Sequence, residues 1–334
     1  MKLDFEHSQA AHCETGVISN LLRYHGLNVS EPLAFGIGSG LFFSHVPFLK
    51  INGLPVTTYR IMPSHIFKKF AGRTGVKIQR EKFSSPDKAM EALDGALEKG
   101  LPVGMLTSVF YLPYLPRAFR FHFNAHNIVV FGKEGDNYWV SDPITEEPVR
   151  IDRRMLIRAR FAKGMPNTNG RMYYPTHVPK PEDVDWQKAI KVGLKQTAKD
   201  MGTIPIPIFG GKAIGFLANR VRDYEKKYGK RDSTRYLGNI IRMQEEIGTG
   251  GAGFRFMFGA FLQEASQKLG NPVLHQKSLE ITKIGDLWRN FAYDTGRVCK
   301  GRASGIGCPE LAEQLELIGR KELKFFQSIH NMKL

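Results

Sequence analysis

Cysteine is scarce in this sequence. There are three in 334 residues, at positions 13, 299 and 308. So few cannot build a disulfide framework. Cys299 and Cys308 stand nine apart with no Cys or His between them, which is not the paired spacing of a zinc site. There is no run of eighteen or more apolar residues, so no membrane-spanning helix is expected. The opening stretch, MKLDFEHSQAAHCETG, has no apolar signal core. A cytoplasmic, reducing location follows as the expectation. Acidic residues are in deficit, 32 against 48 Lys and Arg, for a net charge of +16. Zinc-finger spacing, an RRM signature and a heptad-coupled basic region are all missing, so nucleic acid is not expected as a partner.

What is present is an ordinary globular composition, 42% hydrophobic and 24% charged, with 23 Phe and 11 Tyr. That length suits one large domain or two ordinary ones. The positive charge is uneven. Residues 1–150 hold 16 Lys/Arg against 14 Asp/Glu, whereas residues 151–334 hold 32 against 18. A surface of that sign attracts acidic partners, although a solvated basic face with no single partner explains the charge equally well.

Along the chain, 13–25 reads as a helix with Val17, Ile18, Leu21 and Leu22 on one face and Gly26 as its stop. The glycines at 36, 38 and 40 are too closely spaced for a dinucleotide or phosphate loop, so a tight turn or close packing is expected at 34–43. A helix opens at Ser84, Ser85 and Pro86 and closes at Gly100. The run 101–110 is a buried-strand candidate, YLPYLP is a proline-broken loop, and 126–142 is a hairpin around KEGDN, with a third strand over 148–152. Prolines 166, 175, 179 and 181 mark 164–185 as a linker. Helical spacing then dominates at 214–228, 258–269, 284–291 and 311–318. The expected layout is α+β, with a mixed domain over 1–163, a linker over 164–185 and a helical domain over 186–334.

An acyl-accepting thiol needs a helix N-terminus, a base, and a group that orients the base. Cys13 starts the first helix, where unpaired N–H groups and the positive end of the dipole favour thiolate, so its pKa should fall below the ordinary value of about 8.5. Its own backbone N–H can help hold an oxyanion. His126 begins one strand of the hairpin and Asp142 ends the next, and a hairpin sets its two open ends side by side. The carboxylate would fix the ring tautomer and leave the other nitrogen for sulfur. Each residue alone has a plainer explanation: a buried small hydrophobe, a structural histidine, a turn before Pro143. In the order Cys–His–Asp, on these elements, the catalytic explanation is the stronger.

The stretches HCETGVISNLLRYHG, SEPLAFGIGSGLFF, GLPVGMLTSVFYLPYL and AHNIVVFGKEGDNYWVSDP resemble the butirosin biosynthesis protein H N-terminal family, relatives of the C39-like, papain-fold cysteine peptidases. GTGGAGFRFMFGAFLQEA resembles the helical domain that often follows. The resemblance implies a papain-like first domain with Cys13 as nucleophile and His126 and Asp142 as its partners. It implies acyl transfer from the phosphopantetheine arm of an acyl carrier protein, through acyl-Cys13, to an amine or hydroxyl of a small-molecule acceptor. The arm is part of the donor substrate, and no bound cofactor or metal is expected. The glutamine that papain-like enzymes place about six residues before the cysteine is replaced by His7, with Gln9 nearby, so His7 and Gln9 are the weak candidates for the second oxyanion donor. His12 is given a structural role. The aromatic stretches FGIGSGLFF and FYLPYLP are candidates for a water-excluding pocket. Basic residues over 219–242 are candidates for docking an acidic carrier. Two other readings stand beside this one: a C39-like peptidase or amidase using the same three residues, and a binding module with a degenerate triad.

Overall fold

Val17, Ile18, Leu21 and Leu22 are all fully buried. They form the inner face of the opening helix in the computed structural model, which describes residues 1–332. In chain order the elements begin α1 (Cys13–Tyr24), α2 (Glu31–Ile37), β1 (Leu41–Ile51), β2 (Leu54–Arg60), α3 (His65–Thr74), β3 (Lys77–Glu81), α4 (Pro86–Glu98) and β4 (Val103–Thr107). They continue as β5 (His126–Glu134), β6 (Asn137–Ser141), β7 (Val149–Asp152), α5 (Arg153–Arg160) and β8 (Met172–His177). Six α-helices follow among the described residues: α6 (Trp186–Gly202), α7 (Lys212–Arg222), α8 (Tyr224–Glu245), α9 (Arg255–Leu269), α10 (Pro272–Cys299) and α11 (Cys308–Asn331). The architecture is α+β. The chain forms two compact units, one of Met1–Ala34 with Ile66–Asp185, the other of Phe35–His65 with Trp186 onward.

The first unit is built on a six-stranded antiparallel sheet in the order β3-β8-β4-β5-β6-β7. Every residue of β4 and the first seven of β5 are buried, which requires cover on both faces of the sheet. Ile128, Val130 and Val103 pack with Met90, Leu93 and Leu97 of α4 and with Leu156 and Ala159 of α5. α1 lies against β5, β4 and β8. Ser85 caps α4 through Lys88 N–H, and Asp152 caps α5 through Met155 N–H, so both covering helices start on the residues their sequence favours.

The expected linker over 164–185 is instead part of this unit. β8 inserts between β3 and β4, with Met172 and Tyr173 buried. Pro175 is tolerated because β4 pairs only with Met172 and Tyr173, leaving the proline past the end of that ladder.

The second unit differs from the expected helical domain over 186–334 because it also includes the β1–β2 hairpin. Asn52 and Gly53, both at positive φ (53° and 76°), make its turn. Phe43 and Tyr59 of this hairpin pack on Trp288 of α10, with ring centroids 5.8 and 5.4 Å away. A Cβ at Gly36 would lie 2.0 Å from the Phe261 ring, so this glycine serves close packing. In GTGGAGFR, the Arg255 guanidinium is fully buried and pairs with Glu322 through two bonds of 2.7 and 2.9 Å. Trp288 Nε1 donates to the same carboxylate at 2.6 Å.

Candidate active site

Cys13 is the first residue of α1, preceded by His12 in an extended conformation whose side chain does not cap the helix. Glu31 takes the capping role. Its carboxylate accepts from Ala11 N–H (3.0 Å), His12 N–H (2.6 Å) and Thr15 Oγ1 (2.9 Å). Burial raises the Glu31 pKa against the opposing pull of those three hydrogen bonds. The neighbours of Cys13 are turned to other work. His12 Nδ1 meets Thr15 Oγ1 at 3.0 Å, and Glu14 accepts from Ile66 and Phe67 N–H at the start of α3. The Cys13 side chain faces the start of β5 instead, with its sulfur 3.8 Å from Ala125 O and 3.8 Å from Asn127 Nδ2.

β6 ends at Ser141, and Pro143 follows Asp142. The Asp142 backbone carbonyl accepts from Thr145 N–H and Oγ1, and its carboxylate Oδ1 accepts from Ile144 N–H at 3.1 Å, an Asx turn that fixes the loop. Gly16 lets α1 approach this loop. A Cβ there would fall 2.6 Å from Ala10 Cβ and 2.8 Å from Pro143 Cβ, and Ala10 N–H donates to Pro143 O at 2.8 Å.

These supports bring three of the predicted residues together. His126 Nε2 lies 2.9 and 2.8 Å from the two carboxylate oxygens of Asp142. A carboxylate only accepts, so Nε2 carries the proton of that bond, and Nδ1 is left for the side-chain hydrogen bond with Cys13. Cys13, His126 and Asp142 are 8%, 4% and 0% exposed. Burial is the largest single influence on the ring and opposes its charge. The charge and hydrogen bond of Asp142, together with Cys13, outweigh it and raise the ring pKa to about 10.

His7 and Gln9 are not hydrogen-bonded to Cys13. Both ring nitrogens of His7 are engaged, by Ser141 Oγ (2.7 Å) and Thr145 O (2.9 Å), and the Gln9 amide donates to Ile144 O at 3.4 Å from an exposed position. Both tie the N-terminal segment to the loop after β6.

Three residues that sequence reasoning passed over stand at the site. Tyr114, in the YLPY loop, donates to Asp142 Oδ2 at 2.8 Å, and burial followed by the Asp142 charge holds its own pKa well above 10. Asn127 directly follows His126. Tyr173, in the stretch expected to be linker, donates to Asn127 Oδ1 at 2.8 Å. Only the YLPY motif carried a signal, since Asn127 and Tyr173 meet through β-sheet pairing that no local pattern announces. Among the described residues no group of three or more His, Cys, Asp or Glu side chains could hold a metal ion, and no helix is long and apolar enough to cross a membrane.

Residues 12–143 match the family described as butirosin biosynthesis protein H, N-terminal, a span that contains Cys13, His126 and Asp142. Residues 154–329 match the domain of unknown function DUF4872. A Bacillus anthracis crystal structure described as that of a C39-like peptidase is similar at 16% identity and a TM-score of 0.38, over 54% of this chain and 100% of that one. No curated protein matches. The first match encloses the candidate site; the second spans more than half of the sequence, and the chain belongs to the DUF4872 family, with a match to the butirosin biosynthesis protein H N-terminal family ahead of it.

Proposed function

We propose that this protein is a cysteine-type enzyme that transfers an acyl group through an acyl-Cys13 intermediate. The observation that carries the reading is the chain of contacts from sulfur to His126 to Asp142, with the ring pKa raised to about 10. A ring held as imidazolium beside sulfur favours thiolate, the reactive form. The thiolate adds to the carbonyl of a thioester and a tetrahedral oxyanion forms. Collapse breaks the bond to the donor sulfur, which leaves with the proton from His126 Nδ1. The neutral ring then takes a proton from the acceptor amine or hydroxyl as it attacks acyl-Cys13, and departure of the product restores thiolate and imidazolium. Acylation and deacylation each transfer one proton through the ring, and neither changes an oxidation state, so no outside oxidant or reductant is needed.

For the donor we propose a thioester on the phosphopantetheine arm of an acidic acyl carrier protein, in keeping with the butirosin family and with the excess of Lys and Arg in residues 151–334. Catalysis belongs to the first unit in this reading. A cytoplasmic location fits a nucleophile that must stay reduced, and among the described residues no cysteine is joined in a disulfide. Incubation with an acyl-carrier thioester, followed by intact-mass analysis, tests the proposal. An acyl adduct on Cys13 with release of carrier thiol supports it. Cleavage of a peptide panel without thioester turnover would overturn it in favour of a peptidase.

A further inference from the structure

Attack on a thioester places a full negative charge on the former carbonyl oxygen, and a site that accelerates the step needs a donor aimed at that oxygen. Of the two candidates expected from sequence, His7 has both ring nitrogens engaged by Ser141 and Thr145, and the exposed Gln9 amide donates to Ile144 O. Beside His126, a side chain that does face the sulfur is Asn127. It is fully buried, and its Nδ2 lies 3.8 Å from Cys13 Sγ.

The orientation of this amide is fixed by chemistry on both of its ends. Nδ2 lies 3.4 Å from Ala125 O, a carbonyl that can only accept, so a flipped amide would set two acceptors against each other. On the other end the Tyr173 hydroxyl donates to Oδ1 at 2.8 Å. Burial, together with the charges of Glu14 and Cys13, keeps that hydroxyl protonated as a donor. One N–H is thus directed to Ala125 O and the other toward sulfur. A donor at this distance from sulfur can reach an oxygen one carbon removed from it.

We propose that the Asn127 side-chain amide binds the oxyanion formed on Cys13, and that Tyr173 is the positioning residue that aims it. The inference rests on acyl transfer at Cys13 and names the group that stabilises its charged intermediate. The carbonyl π pair moves to oxygen as the C–S bond forms, Nδ2–H donates to that oxygen, and the pair returns when the donor sulfur leaves.

The test compares two reactions of one thiol. Acylation by acetyl-N-acetylcysteamine or p-nitrophenyl acetate passes through an oxyanion, and alkylation by iodoacetamide does not. In Asn127→Ala the acylation rate constant should fall by about 10²–10³-fold. The alkylation rate and its pH inflection should stay close to wild type, which also reports that the site remains folded. Tyr173→Phe should lower acylation several-fold through kcat, with KM little changed. Asn127→Ala with wild-type acylation overturns the proposal. So does a variant whose alkylation is slowed as much as its acylation, because the amide then merely supports the thiolate. The small donors carry no carrier protein, so Asn127 can fail this test while carrier turnover persists, and a wild-type protein that no donor acylates defeats the acyl-transfer reading itself.

Discussion

Tyr114 and His126 share one oxygen: Asp142 Oδ2 accepts the Tyr114 hydroxyl at 2.8 Å and lies 2.8 Å from His126 Nε2. The proposed relay from sulfur to ring to carboxylate therefore has a fourth member, supplied by the loop between β4 and β5. A hydrogen bond to a charged group contributes about 1.5–3 kcal/mol. Tyr114→Phe should lower the rate of Cys13 acylation by about 10-fold or more at unchanged fold, since the carboxylate loses its anchor. With that donor gone, more of the carboxylate charge acts on the ring, so the high-pH limb of the alkylation profile should move upward. Rate against pH in the variant and wild type measures both effects.

The raised His126 pKa sets a pH window for thiol reactivity. Below about 10 the ring is charged, and a positive charge beside sulfur favours thiolate. Iodoacetamide alkylation of Cys13 should therefore inflect below the ordinary thiol value of about 8.5. In Asp142→Asn the causes that raise the ring pKa are largely lost, and burial, which lowers it, prevails. The ring is then neutral at pH 7, and the alkylation inflection should rise to about 8.5 or above. Unchanged inflections in the two proteins would count against the ion-pair mechanism. Acylation removes the sulfur charge and its share of the shift, so acceptor attack should gain its base at a lower pH than free-enzyme titration indicates.

Gly16 offers a test of how α1 is seated. Ala at this position would meet Ala10 and Pro143 at 2.6 and 2.8 Å, whereas nothing lies within 4 Å of a Cβ built on Gly95 in α4. Overpacking costs about 1–3 kcal/mol, and replacing a mid-helix glycine by alanine gains about 0.5–1 kcal/mol. Gly95→Ala should stabilise the protein, while Gly16→Ala should destabilise it and slow Cys13 alkylation by moving sulfur away from the ring. Urea unfolding together with thiol kinetics separates the pair.

Local chemistry explains which parts of this site were legible in the sequence. Cys13 announced itself through an amphipathic helix that begins at the residue, and His126 and Asp142 through a hairpin whose open ends must meet. The register of β5 and β6 realises that proximity, with Val129 opposite Ser141 beside Asp142. Tyr173 was hidden because four prolines mark its segment as a linker, yet the segment pairs as β8 with β3, 91 to 100 residues earlier. The β1–β2 hairpin carried a usable mark, the Asn52–Gly53 pair between two strand-like runs. The capping roles of Glu14 and Glu31 were not legible, since each spans partners that only the folded chain brings together.

The buried pair in the second unit permits a prediction about stability rather than chemistry. Arg255 and Glu322 are both fully buried, joined by two hydrogen bonds, with Trp288 Nε1 on the same carboxylate. Arg255 lies 5.0 Å from the Trp288 ring centroid and 5.6 Å from that of Tyr59, so its charge is also shared with two aromatic faces. Neutralising one partner strands the other charge away from water, which costs about 3–5 kcal/mol. Glu322→Gln should therefore lower the unfolding free energy by about that amount, with the loss visible in Trp288 fluorescence. Replacing both partners with apolar residues, Arg255→Met with Glu322→Leu, removes the stranded charge and should recover much of the loss. Urea unfolding of the single and double variants decides the matter. A double variant as unstable as Glu322→Gln would show that the hydrogen bonds to Gly253 and Trp288, not the unpaired charge, set the cost.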